Sequence, residues 1–163
     1  MTDKPFADRV RVRINGLIVR DRSLLMVKMK APTSDKAFWI PPGGGLEFGE
    51  SMQHALIREM KEETGLKVKV NDLRYTSEYI NPPWHAVEFY FDCELIDGEV
   101  ILGKDPELTD KSQYLKDISF IPFEEFEKYN IVPLYLKNHF VKDFLSGNSG
   151  IQFFPWKGNE LRT

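Results

Sequence analysis

A single cysteine, Cys93, and three histidines stand in a chain of 163 residues. One thiol closes no internal disulfide and builds no cysteine-based metal site from this chain alone, so Cys93 is expected to be a small buried hydrophobe. An excess of positive charge is also lacking: 22 Lys and Arg against 25 Asp and Glu leave a formal net charge of -3. Extended nucleic acid is held by clustered cations, so this balance excludes a broad basic surface and leaves a small phosphorylated ligand open. No segment approaches the run of about 18 apolar residues that a membrane span needs, and the first ten residues hold no apolar core of signal-peptide length. A cytoplasmic location without membrane contact is the expectation. Internal repeats and low-complexity linkers are missing too. What remains, 42% hydrophobic and 29% charged residues, fits one domain over residues 1–163 that buries roughly two-thirds of its unfolded surface.

Local periodicity sketches the elements. Residues 10–19 alternate Val10, Val12 and Ile14 with Arg11 and Arg13 and predict a strand, bulged near Asn15-Gly16; residues 24–29 form its hairpin partner across an Arg-Asp-Arg-Ser turn. Residues 38–40 predict a short strand stopped by Pro41-Pro42 and a glycine loop at 43–45. Residues 51–64 carry helical spacing, with Ser51 as N-cap and Gly65 where a C-terminal cap belongs. On that helix Leu56, Ile57 and Met60 share an apolar face, His54, Arg58 and Lys61 point to solvent, and Glu59, Glu62 and Glu63 fall on the flank between. Strands follow at 66–70, 73–79, 87–95 and 118–121, with a polar surface loop at 104–116. Residues 123–129 start a helix or turn, and 133–145 predict an amphipathic C-terminal helix, followed by a tail containing Phe153, Phe154, Pro155 and Trp156. The tail packs on the domain or on a second copy of the chain, so a homodimer is among the expectations. Strands around one strong helix imply an α+β fold with a mixed β-sheet.

The acidic helix carries the chemical information. Carboxylates three and four residues apart on a helix repel by a few tenths of a kcal/mol per pair. Two readings account for them: a solvated acidic face partnered by Arg58, Lys61 and Lys67, or a site for a hard cation such as Mg²⁺, which takes oxygen ligands and substrate phosphate. Glu47 and Glu50 flank the helix start, so five carboxylates stand close to a glycine-rich entry where backbone can approach a ligand closely.

Gly44, Glu50 and the run Arg58-Glu59-Met60-Lys61-Glu62-Glu63-Thr64-Gly65-Leu66 fill every specified position of the Nudix box, G-x5-E-x7-R-E-U-x-E-E-x-G-U with U a bulky aliphatic. The preceding Trp39-Ile40-Pro41-Pro42-Gly43 is similar to the segment that leads into that box, and Phe120-Ile121-Pro122-Phe123-Glu124-Glu125-Phe126 resembles the family's late strand-to-helix segment. The resemblance covers roughly residues 10 to 130. It implies an α/β/α sandwich and metal-dependent hydrolysis of a nucleoside diphosphate linked to another group, with Mg²⁺ or Mn²⁺ as cofactor. By the same resemblance Glu59 and Glu63 are the principal metal ligands, Glu62 a further or water-mediated one, Glu50 a supporting carboxylate and Arg58 a partner that orients the acids. The family's late-loop acid finds two counterparts here, Glu107 and Asp110, with Gln113 nearer the usual place, and the general base stays open between Glu107, Asp110, Glu59 and a metal-bound hydroxide.

Candidates for substrate contact are Gly44 and Gly45 in the glycine segment, Lys28 at the end of the first hairpin, and Trp84, whose ring suits stacking on a base although packing in core or loop is the commoner role of such a ring. His85 has no second His or Cys beside it. Pro82, sixteen positions after Leu66, resembles a marker of the ADP-ribose-cleaving subgroup, which places an ADP-sugar slightly ahead of other nucleotides. A non-catalytic nucleotide-sensing module on the same fold is the alternative from another class, and it would be favoured by lost box carboxylates. A diphosphate isomerase would want a cysteine in the site, which Cys93 does not suit.

Overall fold

The computed structural model describes residues 6–30, 36–104 and 114–155. In chain order the elements are β1 (Arg9–Leu17), β2 (Val19–Arg20), β3 (Ser23–Met29), β4 (Phe38–Ile40), β5 (Gly43–Gly45), α1 (Met52–Thr64), β6 (Lys67–Asn81), β7 (Trp84–Asp97) and β8 (Leu115–Pro122). A 3-10 turn at Phe123–Lys128 follows, then a π-helical turn at Leu136–Phe140 that continues into α2 (Val141–Ser146), and finally β9 (Gln152–Phe154). One sheet is mixed, in the order β5-β1-β7-β6-β9, with β1 parallel to β7 and β9 parallel to β6. The other is antiparallel, with β3 paired to β2, β4 and β8.

The expected single strand over residues 10–19 is divided between these sheets. Only Val19 and Arg20 pair in the hairpin with Ser23 and Leu24, whereas all of β1 pairs with β7 along nine consecutive positions. As a central strand between β5 and β7, β1 satisfies backbone groups on both edges, which a two-strand hairpin leaves half unmade. The glycines of 43–45, read as a loop, are a strand: they pair with Arg13, Ile14 and Asn15. The two strands expected at 66–70 and 73–79 are one, β6, whose register shifts between Val70 and Tyr75. That irregularity turns Leu73 toward the core under α1 and Tyr75 toward the opposite core, although both are odd-numbered.

α1 covers one face of the sheets, over Ile14, Ile18, Leu25, Leu66, Val68 and Phe91. Its buried stripe is Ala55, Leu56, Met60, Glu63 and Thr64, and Ile57, expected on the apolar face, is 39% exposed. A Cβ on Gly16 would fall on the Met60 methyl, so the glycine of β1 lets the helix settle close. The C-terminal helical segment covers the other face, with Tyr135, Leu136 and Phe140 against Leu17, Tyr75 and Tyr90. Phe144 and Leu145, expected on its apolar side, are exposed. The tail packs on the same domain: Phe154 stacks on Tyr135 with ring centroids 4.1 Å apart, while Trp156 lies outside the described residues. The arrangement is helix, sheet, helix, the expected α/β/α layering with the sheet in two parts.

Candidate active site

The site grows from the two ends of α1. Ser51 Oγ accepts from the His54 N–H at 3.2 Å, and Gly65 closes the helix in the left-handed region at φ 74°, its N–H donating to the Lys61 carbonyl. Caps at these positions fix which residues face the sheet edge at β5.

Arg58 is the hub of this edge, contrary to its expected place on the solvated side. Its Nε and Nη2 donate to the two oxygens of Glu50 at 2.9 and 3.0 Å, a bidentate pair. Nη1 donates to Glu59 Oε1 at 3.0 Å and Glu62 Oε2 at 3.1 Å, and Nη2 also donates to the Gly45 carbonyl at 3.1 Å. A helix residue with four acceptors in reach is pulled back over the flank that its spacing alone would turn outward. Glu47 stands at the rim, its N–H donating to Glu50 Oε2 and its carboxylate 3.9 Å from Arg58.

The glycine strand fits over these acids. Gly43 N–H donates to Glu63 Oε2 at 2.9 Å, and Glu63 is only 5% exposed. A Cβ on Gly44 would overlap the Glu59 carboxylate, and Gly43, at φ 150°, could not take one without striking the Ile14 backbone. The segment 99–104 returns to the other end: Ile101 N–H donates to the Thr64 carbonyl and Gly103 N–H to that of Glu63. From there the chain enters residues 105–113, so Glu107, Asp110 and Gln113 lie outside the described residues.

The electrostatics follow the geometry. Hydrogen bonding from Arg58 holds the Glu50 pKa below the usual carboxylate value in spite of burial. At Glu59 burial wins and the pKa is raised, although the charge and hydrogen bond of Arg58 oppose it. Arg58 itself is held more firmly protonated, first by its hydrogen bond to Glu50. Among the described residues no three acids already converge on one point in ligating geometry, because Arg58 does the gathering. Carboxylate oxygens on adjacent turns are nevertheless the donor set that Mg²⁺ and Mn²⁺ prefer over softer ions.

Other candidates stand on neighbouring strands. Lys28 lies on β3 with its ammonium 5.9 Å from the Trp39 ring centroid. Trp84 opens β7 opposite Asn81, and Pro82 sits in the turn between them. Cys93 packs beside Gly16 in the core under α1, where burial pushes its thiol up to about 12. Sequence reading passed over Arg13, Asn15 and Glu88, which meet on the opposite face of the sheet. The one signal for them is an asparagine among the buried residues Ile14, Gly16 and Leu17 at the end of β1.

A glycine strand clasping an arginine-tied acidic helix, in an α/β/α sandwich, defines a class of hydrolase scaffold. The NUDIX domain family matches residues 9–139, and the chain belongs to it. It is a Nudix-type pyrophosphohydrolase of nucleotide derivatives, a family that generally uses a divalent metal. It is 33% identical over 128 residues to an ADP-ribose pyrophosphatase of Methanocaldococcus jannaschii, covering 77% of this chain and 73% of that one. It is 24% identical over 103 residues to the CTP pyrophosphohydrolase of Escherichia coli, covering 58% of this chain and 75% of that one. A Nudix hydrolase structure from Nitrosomonas europaea superposes with TM-score 0.68 at 20% identity, over 86% of this chain and 92% of that chain, a likeness of fold. No helix among the described residues is long and apolar enough to cross a membrane.

Proposed function

We propose that this chain hydrolyses the diphosphate of an ADP-sugar, with ADP-ribose as the leading substrate. The observation that carries the reading is the acid cluster under Gly43–Gly45, where Glu59 and Glu63 approach backbone that can carry no side chain. Glu59 and Glu63 would hold a divalent cation and Glu62 would assist. That ion, when bound, supplies charge neutralisation at the phosphate oxygens and a more acidic water. Arg58 hydrogen-bonds Glu50, Glu59 and Glu62 and turns them inward, Glu50 anchors Arg58 through two hydrogen bonds, and Gly44 gives the Glu59 carboxylate its room. Water adds its oxygen to one phosphorus, the bridging P–O bond breaks, and the proton balance leaves AMP and ribose 5-phosphate. The substrate preference is supported by the Methanocaldococcus relative's name and by Pro82 at sixteen positions beyond the box.

Two measurements test this. Glu63→Gln should abolish Mg²⁺-dependent hydrolysis while circular dichroism stays that of the parent, and should remove any rise in Tm that Mg²⁺ produces in the parent by mass action. Full activity in that variant removes the metal assignment. A panel of ADP-ribose, other nucleoside diphosphate sugars, dGTP and dinucleoside polyphosphates at equal concentration should put ADP-ribose first. A triphosphate ahead by about tenfold in kcat/KM, roughly 1.4 kcal/mol of transition-state preference, overturns the substrate reading.

A further inference from the structure

Ile14 and Gly16 turn toward α1, so Arg13 and Asn15 share the other face of β1, the one covered by the C-terminal helical segment. Register sets Arg13 beside Glu88 and Asn15 beside Tyr90. Glu88 Oε2 accepts from Ser77 Oγ at 3.4 Å and from Tyr90 OH at 3.3 Å, and Tyr135 OH donates to Ser77 Oγ at 3.2 Å. Arg13 and Asn15 stay outside this network. The Arg13 Nε is buried without a hydrogen bond among the described residues, and its ion pair with Glu88 is 3.7 Å long. Asn15 is 0% exposed, and neither its amide nitrogen nor its oxygen has a partner among the described residues.

A buried polar group left unpaired lowers stability, and a leucine at Asn15 would avoid two such groups. Positions that carry this cost are accounted for by a ligand or by an ordered water. The place favours a ligand. Arg13 and Asn15 are the register partners of Gly45 and Gly43, whose carbonyl and N–H reach Arg58 and Glu63. One strand spacing, about 4.8 Å, therefore separates the backbone that carries the unpaired groups from the strand that clasps the acid cluster.

We propose that Arg13 and Asn15 form a substrate subsite: the Asn15 amide takes a hydrogen-bond donor and acceptor lying side by side on the substrate, and Arg13 takes an oxygen of the neighbouring phosphate. The proposal rests on the reading of the acid cluster as a nucleoside diphosphate hydrolase. An amide offers two donors and an acceptor, which match either the polar edge of a nucleotide base or the hydroxyls of a ribose phosphate. Asn15 is closed to solvent in the free chain, so binding includes a shift of Arg13, which is partly exposed and meets Glu88 through the long ion pair.

The test has two independent readouts. Asn15→Leu should fold with Tm equal to or above the parent's in the absence of nucleotide, because unpaired polar atoms are replaced by apolar ones. The same variant should raise KM about tenfold or more with kcat changed by less than about threefold, the signature of lost binding. A lower Tm with KM unchanged makes Asn15 a structural group bridged by water and overturns the proposal. In the parent protein labelled with ¹⁵N, titration in EDTA with AMP or with ribose 5-phosphate should move the Asn15 side-chain amide signals, which holds whether or not the variant folds. Movement with AMP alone assigns the base edge, and movement with both assigns the sugar and phosphate. Saturation with neither moving them overturns the subsite. If the substrate panel shows no turnover while these signals move, the hydrolase reading falls and the subsite stands.

Discussion

Glu59, Glu62 and Glu63 occupy adjacent turns of one helix flank, and Arg58 explains how a folded chain tolerates them. Its guanidinium makes hydrogen bonds to Glu59 and Glu62 within the helix and to Glu50 before it, so Glu59 and Glu62 share a cation, while Glu63 is met by the Gly43 N–H. The arginine also bonds the Gly45 carbonyl, which ties charge balance to the glycine strand. Gly44 is the residue on which this closeness depends. Gly44→Ala should lower kcat/KM by about tenfold or more, since displaced metal-site groups typically cost 10–100-fold, with helix content unchanged. Gly49 is the control: it has φ 84° and open space around its α-carbon, so Gly49→Ala strains the backbone by about 1 kcal/mol without touching an acid. Equal activity in the two variants would show that the contact with Glu59 is dispensable.

At the level of elements, the C-terminal segment is tethered through one carboxylate. Asp143 on α2 accepts from Tyr75 OH on β6 at 2.9 Å, from Gln152 Nε2 on β9 at 2.6 Å and from Asn148 Nδ2 at 3.1 Å. Burial raises its pKa, but these hydrogen bonds outweigh burial and leave it below the usual value. A carboxyl whose folded pKa is depressed contributes stability above its unfolded pKa, about 3.9, and loses it as pH falls through the lower folded value. Asp143→Ala leaves the fully buried Tyr75 hydroxyl without its acceptor, at about 1–3 kcal/mol. For a chain of this size that is a fall in Tm of roughly 2–4 °C per kcal/mol at neutral pH. The gap between parent and variant should narrow as pH falls below about 4, where the unfolded chain takes up a proton that the native carboxyl still resists. A gap that stays constant from pH 7 to pH 3 would mean that the charge of Asp143 contributes nothing to the tether.

Across the whole molecule the two cores lie on opposite faces of the sheets, with the acid cluster at the β5 edge on the α1 side and Arg13, Asn15 and Glu88 on the other. What the sequence by itself determined was the content of contiguous segments. The capped helix from Ser51 to Gly65, the alternating strands, the box carboxylates and hence the family were legible because cap chemistry and periodicity involve neighbours within a few residues. The tertiary structure decided the rest. Residues 43–45 read as a loop because glycine signals breaks, and they became a strand only because β1 supplied a partner and α1 left no room for a side chain. Arg58 read as solvated from its helical angle and turned inward because Glu50 and the Gly45 carbonyl were brought to it. Asn15 and Arg13 gained meaning only from pairing with residues some 75 positions later, and that register was settled by which strands competed successfully for the two edges of β1. Such competition is between backbone hydrogen bonds common to every sequence, so no local pattern of side chains announces its outcome.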